Sequence, residues 1–142
     1  MASRLNPYIS FRGQAREAME HYQSVFGGGL QLTTFGEAGA QAPGIVPEQV
    51  MHAMLETPAG YTLMASDTPE GMPYREGSTI SISLSGDDAD ALRHSFTRLS
   101  EGGQVAMPLE KQMWGDVFGA LTDRFGINWM VNIAGDAAGA EG

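Results

Sequence analysis

The most constraining feature of this sequence is an order of elements that runs once and then begins again. Residues 5–11 (LNPYISF) are rich in aromatic and branched side chains and predict a strand. Pro7 marks an edge or a strand start, because it has no amide to donate. Ala15, Ala18, Met19, Tyr22, Val25 and Phe26 recur on one helical face. Gly27-Gly28-Gly29 stops that helix, since glycine accepts the left-handed C-terminal conformation. A second strand is predicted over 30–35, then a loop over 36–49 that is long enough to be functional. Residues 50–57 and 61–67 predict a hairpin turning at Pro58-Ala59-Gly60, and 68–77 a second loop. The order then restarts. Residues 78–85 (STISISLS) alternate, with Ile80, Ile82 and Leu84 on one side. Asp87 or Asp88 caps a helix whose apolar face is Ala89, Leu92, Phe96 and Leu99, and Gly102-Gly103 ends it. Strands are predicted over 104–109, 116–122 and 127–133, the last two joined by the turn Asp123-Arg124-Phe125-Gly126. The small, polar tail at 134–142 is expected to fray.

Strand, helix and three strands, twice over, specify an α+β chain. Strands linked by tight hairpins give a mixed or antiparallel sheet with the helices on one face. The 142 residues suit a single domain, 1–142, with a first module over about 5–67 and a second over about 78–133. Identity between the modules is weak, and the repeat lies in the order of elements. Composition then narrows function. Seventeen acids against eight bases give a formal charge of −9, and the bases from Arg4 to Arg124 form no stripe, so no nucleic-acid partner is expected. The absence of cysteine excludes disulfides, thiolate zinc sites and a cysteine nucleophile. No apolar run approaches the ~20 residues that span a bilayer, and the first residues form no secretory leader, so a cytoplasmic protein away from membranes is expected.

Alternation also sorts the side chains by face. One face carries Asn6, Tyr8, Ser10 and Arg12 on the first strand, and His52, Met54 and Glu56 on the third. It continues with Met64 and Ser66 on the fourth, Asp67 standing at that strand's end. The second module offers Thr79, Ser81 and Ser83, then Met130 and Asn132. The opposite faces (Ile9, Phe11; Ile80, Ile82, Leu84; Trp129, Val131, Ile133) are predicted to pack under the helices, unless a bulge intervenes. His52 is the one histidine on a predicted strand, and its near-neutral pKa makes it the candidate general base. The competing role is a structural histidine bonded within the sheet. Glu56 shares its face but lies ~13 Å along the strand at ~3.3 Å per residue, so the two meet only through a neighbour or a substrate. His21 and His94 lie on helices and are expected at the surface, although His21 could also pack. Trp114 either walls a pocket, makes a subunit contact or packs on its hairpin, whereas Trp129 reads as core. Nine methionines supply either an adaptable cavity or ordinary core filling, and no spacing marks a soft-metal site. No glycine run leads from a strand into a helix as a nucleotide cradle does, and Ser10, Ser66, Ser81 and Ser83 lack a nucleophile elbow.

Several stretches together resemble the vicinal oxygen chelate superfamily, and most closely its PhnB-like branch. They are Pro7-Tyr8-Ile9-Ser10-Phe11, His21-Tyr22 with Phe26-Gly27, His52-Ala53 and Met64-Ala65-Ser66-Asp67. Trp114, Asp116 with Phe118-Gly119, and Thr122-Asp123 through Trp129-Met130-Val131-Asn132 complete the likeness, which spans about residues 5–133. That superfamily includes glyoxalase I, fosfomycin- and bleomycin-resistance proteins and ring-cleaving dioxygenases. The resemblance implies the glyoxalase/bleomycin resistance fold: two βαβββ modules forming a curved mixed sheet, helices outside, active site in the concave face. It also implies a homodimer in a bacterial cytoplasm. The ligand implied is a small molecule, bound or transformed in a pocket lined by Asn6, Tyr8, His52, Glu56, Met64, Ser66, Ser81, Trp114, Met130 and Asn132. In an enzyme of this kind His52 would move a proton, Glu56 would orient or accept, and Asn6 and Ser81 would donate hydrogen bonds to an oxyanion. Many members hold a divalent metal, and the matching ligand places fall near Asn6, Ser81 and Met130. An amide, a hydroxyl and a thioether are poor donors for such a metal, so no cofactor is expected at the usual place. Two other functions stay open: a non-catalytic binder that sequesters its ligand, with Met72 and Tyr74 of the loops at its lip, and a metal-dependent lyase or transferase using displaced ligands such as His52 with Glu56 or Asp67. Members of this branch also carry a ubiquinone-pathway methyltransferase label, but the sequence holds no strand–glycine loop–helix unit for a methyl donor.

Overall fold

The structure, a computed structural model, describes residues 3, 5–75, 77 and 79–135. Ten elements follow in chain order: β1 (Tyr8–Phe11), α1 (Ala15–Phe26), β2 (Gly29–Thr34), β3 (Val50–Glu56), β4 (Thr62–Asp67), β5 (Ile82–Gly86), α2 (Ala89–Ser100), β6 (Gln104–Lys111), β7 (Val117–Thr122) and β8 (Asn128–Ile133). The chain divides into two compact units, residues 1–75 and 76–142; among the described residues the first holds α1 and a four-stranded sheet and the second α2 and another. This is the doubled α+β arrangement of the glyoxalase/bleomycin resistance fold.

In the first unit the strand order is β1-β4-β3-β2. β1 runs parallel to β4, and the two hairpin-linked pairs are antiparallel, so the sheet is mixed. Ala15, Ala18, Met19, Tyr22 and Val25 of α1 are buried, as are Ile9, Phe11, Ala53, Leu55, Leu63 and Ala65 of the strands. The 3.6-residue and two-residue periods thus meet in one core, with α1 packed on β2, β3 and β4. The second unit repeats the plan in the order β5-β8-β7-β6. Leu92, Phe96 and Leu99 of α2 are buried, and so are Leu84, Val117, Leu121, Trp129, Val131 and Ile133.

The repeat extends to hydrogen bonds. The Thr57 amide donates to the Tyr61 carbonyl and the Gly60 amide to the Thr57 carbonyl; Asp123, Ile127 and Gly126 make the same two bonds in the second unit. A glycine behind each helix presses on that hairpin. A Cβ on Gly28 would stand 2.1 Å from the Glu56 carbonyl oxygen, and one on Gly103 would stand 2.3 Å from that of Thr122. No side chain fits either place, which explains why both helices end in glycine runs although their sequences otherwise diverge.

Several boundaries differ from expectation, each for a pairing reason. β1 begins at Tyr8 and not at residue 5, which leaves Asn6 ahead of the strand. Pro7 accepts from the Met64 amide at 3.0 Å but has no amide to return. β5 begins at Ile82 and not at 78, so Ser81 precedes it and Ile80 is 80% exposed instead of packing under a helix. The pairing with β8 begins at Ile82↔Trp129, and β8 itself starts only one residue earlier, at Asn128, so 79–80 lie beyond its start. In β3 a bulge at the Thr33/Thr34 step puts Val50 in the core beside Ala53, although both lie on opposite faces by parity. Ala134 is not frayed, since its amide donates to Gly86 at 2.7 Å. Residues 136–142 of the expected tail, and Ser78 of the expected strand, lie outside the described residues.

Candidate functional site

Two buried acids first invite a catalytic reading, and their geometry gives them another role. Asp67 is 3% exposed on the helix side of β4. Its Oδ1 accepts from the Gly13 and Ala15 amides at 2.8 and 3.0 Å, and its Oδ2 from Val50 at 2.9 Å. It therefore ties the start of α1 to β3 and β4, and it is not a displaced metal ligand beside His52. Asp123 accepts from the Phe125 and Ile127 amides and from Trp129 Nε1 at 2.8–3.0 Å, locking the β7–β8 hairpin. His21, expected at the surface, is buried at 8% exposure beside Tyr22.

Within the first unit, among the described residues, the only helix is α1, and it packs on the buried face of the first sheet, leaving the opposite face without a helix of this unit. Strand register arranges it in rows. Tyr8, Met64, Met54 and Gln31 form one row across the four strands. Ser10 and Ser66 are partners in the next row, where His52 pairs with Thr33. Thr62 and Glu56 pair on the other side of the first row. The Tyr8 and His52 ring centroids lie 6.0 Å apart, tilted, so both rings stand on this open face. His52, Met54, Met64 and Ser66 are half-buried; Tyr8 and Glu56 are exposed. Five of the expected site residues (Tyr8, His52, Glu56, Met64 and Ser66) thus share one surface. Its strands carry no Lys or Arg, and its one carboxylate is Glu56. Arg12, just beyond β1, stacks 4.7 Å over the Tyr74 ring. The two loops of this unit are joined where the Glu70 amide donates to Gly44 at 3.1 Å.

The second sheet carries the rest. Met130 and Asn132 are half-buried on the face away from α2. Ser83, not Ser81, is the partner of Met130. Asn132 Nδ2 donates to Asp116 Oδ2 at 2.9 Å. Trp114 sits in the turn between β6 and β7, 59% exposed, with its ring 6.3 Å from Phe118. Asn6 is half-buried ahead of β1, and Ser81 is exposed ahead of β5. The donors at the superfamily's usual ligand places (an amide, a hydroxyl off its strand and a thioether) do not fit a hard or borderline divalent cation. Among the described residues no three His, Asp or Glu side chains converge as a metal group. The alternation put Met54 on the right face, and the methionine count offered it only as one of several that could fill a cavity or the core. Its partnership with Met64 is a matter of register, which no local pattern reports. Gln31 and Thr33 were not singled out at all.

Comparison with known proteins places this architecture. Residues 3–132 match the family model described as 3-demethylubiquinone-9 3-methyltransferase. Protein YjdN of Escherichia coli K12 is 30% identical over 144 residues, covering 91% of this chain and 94% of YjdN. The crystal structure of protein PA1353 from Pseudomonas aeruginosa aligns with a TM-score of 0.83 at 38% identity, covering 93% of this chain and 98% of that one. A PhnB protein from Bacillus cereus, described as a putative 3-demethylubiquinone-9 3-methyltransferase, aligns at 0.75 and 24% identity over 93% of this chain and all of that one. A glyoxylase/bleomycin resistance protein/dioxygenase domain from Frankia sp. EAN1pec shares the fold at 0.61 and 13% identity, over 94% and 98% of the two chains. The chain belongs to the family whose model is described as 3-demethylubiquinone-9 3-methyltransferase, and it shares the fold of the PhnB protein and of the glyoxylase/bleomycin resistance protein/dioxygenase domain.

Proposed function

We propose, with that membership as premise, that the chain binds a small, neutral or cationic organic molecule on the open face of its first sheet. The observation that carries this reading is the face itself. The Tyr8 and His52 rings stand together beside a methionine row, next to the hydroxyls of Ser10 and Ser66, with Glu56 beyond. Flat apolar bodies pack on such a row, and a few polar groups at its border orient them. The lack of Lys and Arg on these strands, with a net charge of −9, disfavours anions. Bleomycin resistance in the name of the Frankia domain agrees with small-molecule binding on this fold. The binding needs no resident divalent cation. We add a homodimer in the cytoplasm, without nucleic acid, to this reading.

Methyl transfer, the activity in the family's description, is not part of it. Both helix N-termini are already occupied by carboxylates, Asp67 at the Ala15 amide and Asp88 at the Ala91 amide. Gly27–Gly29 leads from α1 into β2, the wrong way round for a nucleotide cradle. The test is a thermal-shift screen of neutral, cationic and anionic aromatic compounds. A compound that raises Tm is expected to bind at least tenfold more weakly to Tyr8→Ala, about 1.4 kcal/mol. Stabilisation by anions alone, or equal affinity for Tyr8→Ala, refutes the placement.

His52 supports a second, catalytic reading, because it is half-buried, stands 6.0 Å from the Tyr8 ring and lies on the proposed ligand face. There it would move a proton while Glu56 orients or accepts. An identified substrate turned over equally by His52→Ala excludes this role, and a ligand recovered unchanged favours the binder.

A further inference from the structure

The same sheet brings together three side chains that have nothing in common in sequence spacing. Met54 and Met64 are direct register partners on adjacent antiparallel strands. Opposed residues in such a pair have Cβ atoms about 4.5–5.5 Å apart. Both methionines are half-buried and point to the open face. His52 lies two residues before Met54 with regular pairing between them, so it shares that face and is the diagonal neighbour of Met64. The Tyr8 ring, beside Met64 through its own strand pairing, reaches the His52 ring at 6.0 Å. Two thioethers and an imidazole therefore border one spot, with an aromatic ring next to it.

We propose that Met54, Met64 and His52 form a binding site for a soft monovalent cation, Cu(I) in chemical class. Thioether and imidazole donors select Cu(I) over Zn, Mg or Mn. Methionine is unbranched and turns about three side-chain bonds, so two opposed methionines can bring their sulfurs onto one ion without moving the backbone. The ion arrives with a single charge, which two neutral sulfurs and a neutral ring can hold without a carboxylate. The setting favours a cation further: no Lys or Arg stands on these strands, Arg12 just beyond β1 is stacked on Tyr74, and Glu56 lies two residues beyond Met54. This site is separate from the superfamily's usual ligand places and does not rest on the organic-ligand reading above.

Ag(I), a redox-inert probe of the same softness, tests it. The intact protein with 13C-labelled methionine methyl groups is titrated with Ag(I) and followed by NMR, with native mass spectrometry for stoichiometry. The expected result is one tight equivalent, with Met54 and Met64 methyl signals moving first and the His52 ring signals with them. Met113, 98% exposed, and Met72, 56% exposed, are internal controls and move only with excess metal. Met54→Leu and Met64→Leu keep side-chain volume, and each is expected to weaken the first equivalent at least tenfold. His52→Gln is expected to weaken it too, whereas Met113→Leu leaves it unchanged. Cu(I) supplied anaerobically with a competing chelator is expected to give the same ranking. Simultaneous movement of Met113 and Met72 with the pair, unchanged affinity in both leucine variants, or Zn(II) displacing Ag(I) overturns the proposal. A failure here leaves the thermal-shift result standing, since that screen contains no metal.

Discussion

Single carboxylates decide which acids are structural. Asp67 and Asp123 are each 3% exposed, and each holds three N–H donors that would otherwise be buried without acceptors. Leaving such a donor unsatisfied costs about 1–3 kcal/mol. Asp67→Ala and Asp123→Ala are therefore expected to lose at least about 2 kcal/mol each, read as a lower urea midpoint; an unchanged midpoint refutes the assigned role. Glu37 differs because it is exposed. Hydrogen bonds from the Thr34 amide and then the Thr34 hydroxyl hold its carboxyl below the usual 4.5. A depressed folded pKa means the contribution is full above the ordinary glutamate range and disappears as pH falls through the lowered value. Exchange protection of the Thr34 amide should therefore persist at pH 4.5 and fall only below it. Loss of protection at or above pH 4.5 contradicts this.

At the scale of elements, each unit depends on a helix-end glycine that lets the chain pass under a hairpin. Gly28→Ala would place its Cβ 2.1 Å from a backbone carbonyl oxygen, and Gly103→Ala would do so at 2.3 Å. Backbone cannot swing aside as a flexible side chain does. Each substitution is expected to cost about 1–3 kcal/mol or more, while Gly29→Ala, with nothing within 4 Å, stays within about 1 kcal/mol. Chemical denaturation of the three variants separates them, and equal losses would show the close approach to be unimportant. The bulge at Thr33/Thr34 is the other device at this scale. It buries Val50, whose amide reaches Asp67, while His52 stays on the open face. Strict alternation would have assigned Val50 and His52 to the same side.

For the whole molecule, the proposed homodimer is the statement with the most direct test. Native mass spectrometry is expected to show twice the 15.1 kDa chain mass. The β6–β7 turn exposes Met113 at 98% and Trp114 at 59%, a large apolar tip for one chain alone. Trp114→Ser is expected to shift the population towards monomer without lowering the secondary-structure signal. A monomer at all concentrations refutes the dimer, and an unshifted dimer takes Trp114 out of the interface. Among the described residues no helix is long and apolar enough to cross a membrane.

The sequence by itself determined the order of elements, the two helices, the glycine stops and the α+β class. Each is written locally, in a 3.6-residue or two-residue period or in a turn residue. Trp129, Phe11 and Leu99 were legible as core for the same reason. The starts of β1 and β5 were not legible, because pairing with β4 begins only at Tyr8 and pairing with β8 only at Ile82, and register is not written in local alternation. The open face was half legible: parity chose Tyr8, Met64 and Ser66 correctly, but only register showed that Met54 faces Met64 and that His52 reaches Tyr8. Asp67 and His21 looked available in the sequence and are buried in the fold. Tertiary structure decided these points because hydrogen-bond partners and cross-strand neighbours come from residues distant along the chain, which no local period encodes.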